Sequence, residues 1–319
     1  MDIGRIKRLL NYIREGKFYL IYEFLVMKIL GRFHSKAYGK RKAIKVMEED
    51  WDYLIVLDAC RYDFFKELVD KETDYVISGG TNTQEWLEWN FRGRFKDVIY
   101  IAGNPHFASA HLVKSLGFNP FFKVEEVWDY GWDESVKTVH PKEVTKAALN
   151  MLNKFPDKRM IVHYNQPHRP YFTNERLLEA DGGTCHTLEG GLWEGVKAHK
   201  DGGAFGLVRR KEVSIEELRE AYGNNLRIVM EEVNKLQKNL TGRVIVTADH
   251  GDHLGEYHIF GHLRGLRTKV LVKVPWYVLK DDGTEGSKTV KRRMIHRKFE
   301  AEKERVRGSI ASLKKSGKL

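Results

Sequence analysis

In the C-terminal third, Thr247-Ala-Asp-His-Gly-Asp-His-Leu-Gly-Glu-Tyr-His-Ile-Phe-Gly-His262 sets a carboxylate beside an imidazole, with His253, His258 and His262 close behind. Asp249 and a neutral His250 are donor types that together suit a divalent cation such as Zn²⁺ or Mn²⁺. Gly251 is expected to allow the tight turn that lets both side chains face one point. A second carboxylate, Asp58, ends the apolar run that begins at Trp51, and two acidic strand ends in a parallel sheet can share one metal. Thr83 follows Ser78-Gly-Gly-Thr-Asn82 at the predicted opening of a helix, where unpaired N–H groups and the positive end of the dipole gather. A bound cation would turn such a hydroxyl into a nucleophile. N-capping by Asn82 or Thr83 explains the same residues without chemistry. In His163-Tyr-Asn-Gln-Pro-His-Arg-Pro-Tyr171, His168 and Arg169 offer donors suited to an anionic substrate. Arg61 and Asp63 are expected to pair with each other, and Cys60 reads as a small buried residue rather than a nucleophile.

These residues need elements to hold them. Tyr53–Leu57, Val98–Ile101, Met160–Tyr164 and Arg243–Ala248 are short apolar runs of the kind that make buried strands. Helical periodicity covers 141–154 and 214–238, the latter with Leu218, Tyr222, Leu226, Val229, Val233 and Leu236 on one face. Strands alternating with helices predict an α/β fold: a mostly parallel central sheet with helices on both faces. In such sheets ligands bind beyond the carboxyl ends of the strands, which selects Asp58, the segment after Tyr164, and Asp249. Residues 172–212 are Gly-rich and read as an irregular loop, a lid or binding segment.

The ordered set of motifs resembles the alkaline phosphatase/sulfatase superfamily, specifically its sulfatase-like branch, over about residues 50–280. The resemblance implies an alkaline-phosphatase-like fold. It implies metal ligation by Asp58, Asp249 and His250, and a nucleophile at Thr83 that also contacts the metal, with Thr81 as the alternative nucleophile. Glu85 stands where the family usually has proline. His168-Arg-Pro-Tyr171 matches a substrate-side motif, and Gly261-His262 matches the family's downstream Gly-His, which contacts the transferred group or leaving oxygen. Two departures matter. Neither cysteine sits in the formylglycine motif Cys-x-Pro-Ser-Arg, which argues against a true sulfatase. The carboxylate of the family's Asp-x-x-x-His second metal element is missing from Asn165-Gln-Pro-His168, which argues for one metal, Mn, Zn, Mg or Ca. The expectation is a metal-dependent hydrolase or transferase that attacks an anionic phosphoester, glycan- or lipid-linked, through Thr83 and a covalent phospho-enzyme, assisted by His168 and His262. The alternatives are a sulfuric-ester hydrolase and a non-catalytic binder of an anionic glycan or headgroup.

The whole chain has 319 residues and a net charge of +11, with two cysteines, too few for a disulfide framework. The charge is concentrated at the ends: residues 1–45 and 288–319 each carry +9, leaving −7 for residues 46–287. The expected organisation is a basic amphipathic N-terminal segment, a sulfatase-like catalytic domain over 46–287, and a basic C-terminal helix or tail. The apolar run Phe18–Leu30 is too short and too charged to span a bilayer; its helical spacing fits either a helix packed on the domain with its charges solvated or a basic amphipathic helix lying in a lipid interface. The expected location is cytoplasmic, against an anionic inner membrane face. Nucleic acid is a poor candidate partner, because the basic ends carry no RNA-recognition pattern.

Overall fold

The computed structural model describes residues 38–104, 116–181 and 202–282, together with residues 13, 14, 22, 25, 26, 29 and 113. Most of the N-terminal amphipathic segment, the whole C-terminal basic stretch and residues 182–201 lie outside the described residues. Among the described residues no helix is long and apolar enough to cross a membrane.

The chain enters the fold through Ile44, whose amide donates to the Ile77 carbonyl at 2.9 Å. Strand β1 (Tyr53–Leu57) is followed by α1 (Tyr62–Leu68), β2 (Asp74–Ile77), α2 (Thr83–Asn90), β3 (Phe95–Ala102) and β4 (Phe121–Glu126). Next come α3 (Val127–Tyr130), the short pair β5 (Trp132–Asp133) and β6 (Thr138–Val139), α4 (Pro141–Lys154) and β7 (Arg159–Tyr164). Helices α5 (Glu175–Ala180), α6 (Gly203–Arg209) and α7 (Ile215–Gln237) lead to β8 (Arg243–Thr247). The chain then runs through β9 (His253–Leu254), β10 (Phe260–Gly261), α8 (Lys269–Val272) and β11 (Lys273–Asp281).

Seven strands form one sheet in the order β2-β11-β8-β1-β7-β3-β4. Strands β8, β1, β7, β3 and β4 are parallel, and β11 runs antiparallel to both β8 and β2. Every residue of β1 and β7 is buried, which is why these strands read as continuous apolar runs. Alternate residues face opposite layers. Ile55, Leu57, Ile101, Val162 and Val246 pack with α4 and α7 through Val144, Met151, Leu226 and Val233. Leu54, Val56, Tyr100 and Ile161 pack with α2 and the entering chain through Trp51, Trp86, Leu87 and Phe91. Both faces are therefore covered, as expected.

The Gly-rich segment departs from expectation. Its described parts are not an irregular loop: α5 and α6 pack through Leu177, Phe205 and Val208 on Tyr171, Leu218 and Tyr222. Helix α5 has six residues and α6 seven, the latter with glycines at its first and fourth positions, so neither is long enough to register as a helical period. Asp181 organises the start of α6, accepting the Ala204 amide at 2.8 Å.

Candidate active site

The parallel strands deliver their side chains to one end of the sheet. Asp58 leaves β1, Asn104 follows β3, His163 is the penultimate residue of β7, and Asp249 lies two residues beyond β8. Because His163 and Tyr100 alternate with the residues facing α4 and α7, both point to the side where α2 begins. Asn82 caps α2, its side chain accepting from the Glu85 amide at 2.9 Å, and Thr83 opens the helix almost fully buried. Capping is thus done by Asn82, and the Thr83 hydroxyl is left to face the strand ends.

Asp249 Oδ1 accepts the amides of Ala59 at 3.0 Å and His250 at 2.8 Å. Ala59 presents its amide from a left-handed backbone, φ 58°, a conformation that costs a non-glycine residue about 1–2 kcal/mol. Asp249 Oδ2 has no hydrogen-bond partner and lies 3.3 Å from His250 Nε2 and 3.9 Å from His163 Nε2. His250 Nε2 is also 3.7 Å from Asp58 Oδ1 and 3.5 Å from Thr83 Oγ1. Asp58 Oδ1 and His163 Nε2 are likewise buried without partners. The far side of each group is anchored. Asn104 donates to Asp58 Oδ2, His250 Nδ1 meets the Gly251 carbonyl at 2.8 Å, and His163 Nδ1 lies 2.6 Å from the Tyr100 hydroxyl.

Gly251 is required for space rather than for a left-handed turn. Its amide donates to the Leu271 carbonyl at 2.8 Å, and a Cβ there would meet the Val270 carbonyl oxygen at 2.0 Å.

Buried carboxylate and imidazole lone pairs facing one another without partners cost free energy, about 1–3 kcal/mol for each unsatisfied group. A cation removes that cost. Ligands about 2.0–2.2 Å from a shared tetrahedral ion stand about 3.4 Å from one another, close to the separations found here. One carboxylate oxygen of Asp58, one of Asp249 and one ring nitrogen of His163 lie within 4.8 Å of each other. The donor set of Asp58, His163 and Asp249 therefore fits a divalent metal, and His250 Nε2 lies beside it, 3.3 Å from Asp249 and 3.7 Å from Asp58.

The electrostatics agree with this arrangement. Burial and the neighbouring Asp249 hold the Asp58 carboxyl well above its ordinary range. Burial opposes ionisation of Asp249 too, but His250, His163 and the Ala59 amide outweigh it and keep that carboxyl low. Burial brings the His163 imidazole down to about 4, so it is neutral at physiological pH.

A second group of side chains forms the rim. The His262 ring lies 4.3 Å from the His250 ring and 5.3 Å from the His168 ring, centroid to centroid. His262 Nδ1 is 3.2 Å from Asp252 Oδ1, and the ring is 24% exposed, so solvent reaches the site past it. His168 Nδ1 meets the Arg169 carbonyl at 2.7 Å, and burial together with nearby His262 holds its imidazole well below the usual value. His168 is therefore a neutral polar group at the rim.

Asp58, Thr83, Asp249 and His250 converge, with His168 and His262 beside them. Arg169 does not aim its guanidinium at the cluster: it lies 3.5 Å from Asp181 Oδ1 and stacks over Phe205 at 4.8 Å. Thr81 is wholly buried in contacts with Glu85, Leu263 and Gly265, away from the strand ends. Arg61 pairs with Asp63 at 2.6 Å and with Glu256 at 2.7 Å. Burial raises the Cys60 thiol well above its ordinary value, so it is inert. Sequence reasoning missed His163, Asn104 and Tyr100. For His163 the signal was present: a titratable residue inside a wholly buried strand demands a partner.

The sulfatase family model matches residues 91–297, and the chain belongs to that family. Asp249, His250 and His262 lie inside the match, whereas Asp58 and Thr83 precede it. No curated protein matches the chain in a sequence search. Among solved structures, the chain is similar to the soluble domain of lipooligosaccharide phosphoethanolamine transferase A from Neisseria meningitidis. That likeness has 15% identity and a TM-score of 0.48 over 70% of this chain and 74% of that domain. It spans 58% of the length of the integral membrane form of that protein. It is also similar to the lipoteichoic acid synthase LtaP from Listeria monocytogenes, at 12% identity and TM-score 0.39, over 75% of this chain and 67% of that one.

Proposed function

We propose that this chain is a metal-dependent phosphoester transferase or hydrolase whose nucleophile is Thr83. One observation carries the reading: the hydroxyl that opens α2 stands 3.5 Å from His250 Nε2, beside buried carboxylate and imidazole atoms that lack partners. Asp58, Asp249, His250 and His163 would hold the cation, with Thr83 at its open side. A divalent cation bound there would supply Lewis-acid chemistry, acidifying a hydroxyl beside it and offsetting phosphoryl charge.

The chain's own residues supply the rest. Asp249 and His250 orient the Thr83 hydroxyl, which releases its proton to solvent as Oγ1 forms a bond to phosphorus and the bond to the leaving oxygen breaks. His262, at the solvent side, donates a proton to that oxygen. Asp252 fixes the His262 ring, and neutral His168 contributes a polar contact to the phosphoryl group. Water or an acceptor hydroxyl then attacks the phospho-threonine, returning a proton to His262 while the bond from phosphorus to Thr83 Oγ1 breaks and that oxygen regains its proton from solvent. The absence of a formylglycine motif and the inert Cys60 speak for phosphoryl over sulfuryl esters. The buried free thiol suits a reducing compartment, and the two +9 ends fit docking against an anionic membrane face outside a catalytic unit of 46–287.

The test is a panel of aryl phosphate, phosphodiester, phosphonate and sulfate esters with metal-loaded protein and Thr83→Ala alongside. Turnover of phosphoesters that is lost in the variant supports the reading. Sulfate turnover alone would favour a sulfuric-ester hydrolase. Binding of phosphate analogues without turnover under any of Mn²⁺, Zn²⁺, Mg²⁺ or Ca²⁺ would favour a non-catalytic binder.

A further inference from the structure

The loop that delivers Thr83 and the segment that delivers His262 are far apart in sequence, yet one buried side chain ties them together. Thr81 Oγ1 accepts the Gly265 amide at 2.9 Å. Its single proton lies between the Glu85 carboxyl, at 2.8 Å, and the Leu263 carbonyl, at 3.1 Å. The same Glu85 oxygen accepts the Thr81 amide at 3.1 Å. Glu85 is in turn seated in the first turn of α2 by the Asn82 cap. Around this knot, Arg264 reaches Glu85 at 3.8 Å and Glu88 at 3.3 Å, and Arg267 donates to the carbonyls of Ser78 at 2.6 Å and Gly79 at 3.2 Å. Residues 263–267 are thereby stitched to residues 78–88, immediately beyond His262 on one side and around Thr83 on the other.

We propose that Thr81 and Glu85 are positioning residues that set the register of His262 against Thr83. The proposal rests on the function proposed above. A nucleophile and a proton donor carried on separate segments need a common reference, because misplacement by about an ångström can cost on the order of a hundredfold in rate. Glu85, where the resembled family usually has proline, makes that reference in this chain. The amide-to-hydroxyl-to-carboxyl chain needs Thr81 Oγ1 as acceptor and as donor at once, so neither valine nor alanine can substitute for it.

The test uses the full chain, metal-loaded, with Thr81→Val, Thr81→Ser and Glu85→Ala. Each is assayed on para-nitrophenyl phosphate, whose leaving group needs little protonation, and on an alkyl phosphate, whose leaving group needs it fully. Thr81→Val and Glu85→Ala are expected to lower the alkyl-to-aryl kcat ratio by about tenfold or more, and Thr81→Ser to restore it. Hydrogen–deuterium exchange at Gly265 should quicken in Thr81→Val and not in Thr81→Ser. Equal losses on both substrates would mark a merely structural contact and overturn the proposal, as would unchanged exchange at Gly265. If Thr81→Val does not fold, Glu85→Ala carries the same comparison. A wild-type chain that turns over no phosphoester would remove the proposed function instead, and exchange at Gly265 would then decide whether the clamp exists.

Discussion

Replacing His163 with leucine separates a metal ligand from a packed core residue. The imidazole is fully buried, with Nε2 lacking a partner 3.9 Å from Asp249 Oδ2 and Nδ1 2.6 Å from the Tyr100 hydroxyl. Leucine keeps most of the packing against Trp86 and removes both polar functions. If His163 only packs, the variant loses one hydrogen bond, about 0.5–1.5 kcal/mol of stability, and binds metal like the wild type. If it ligates, the loss in affinity must at least match what removing an outer hydrogen-bond partner does, about 10–100-fold. We expect a loss of about 100-fold or more, equivalent to about 2.8 kcal/mol. Tyr100→Phe, which loosens the ring without removing the donor, should lose about tenfold. The assay is competition for Zn²⁺ against a chromophoric chelator at neutral pH, with thermal denaturation run in parallel. Because burial holds the imidazole near 4, its proton does not compete with the cation at that pH. A His163→Leu protein whose affinity stays within about threefold of wild type would refute the ligand role.

Other consequences are simpler to check. Thr83→Ala should abolish turnover while leaving metal binding by the same competition assay within about tenfold of wild type. Asp249→Asn should lower metal content after dialysis by about a hundredfold in affinity, since it removes the carboxylate charge that His250 and His163 support. Burial opposes ionisation of Glu256, but the Arg61 ion pair outweighs it and holds the carboxyl below its ordinary 4.5. Its stabilisation is therefore complete above that value and lost as pH falls through the lower folded value. Glu256→Gln should cost about 1–3 kcal/mol at neutral pH and flatten the acid limb of a denaturation-versus-pH curve. Liposome flotation should show binding that needs anionic lipid and weakens on deleting residues 288–319; equal binding to neutral liposomes would remove the membrane reading.

The strands that carry the site were readable because parallel strands buried on both faces have no polar alternation to blur them. Their ends pointed to Asp58 and Asp249 before any geometry was known. Strand β11 was not readable: it is half-exposed, charged at both ends and contains Pro275, which removes a ladder donor. Helices α5 and α6 were hidden by their length, six and seven residues, too short to show a helical period. Thr83 and Thr81 could not be separated by spacing alone. What separates them is the Gly265 amide and the Glu85 carboxyl, partners that only the folded chain brings to Thr81. His163 is not legible as a ligand because it sits inside an apolar strand, where spacing alone does not tell which of the two sheet faces meets Asp58 and Asp249. Arg169 looked like an anion donor by residue type, but Asp181 and Phe205, remote in sequence, hold its guanidinium elsewhere.

If Thr83 is the nucleophile, the transferred phosphoryl group resides on its Oγ1 during turnover. The most direct measurement is acid-quenched mass spectrometry of metal-loaded protein mixed with para-nitrophenyl phosphate, followed by peptide mapping. One added phosphoryl group is expected on Thr83 in the wild type and none in Thr83→Ala. Turnover with no adduct, or an adduct on Thr81 or any other residue, would contradict that role.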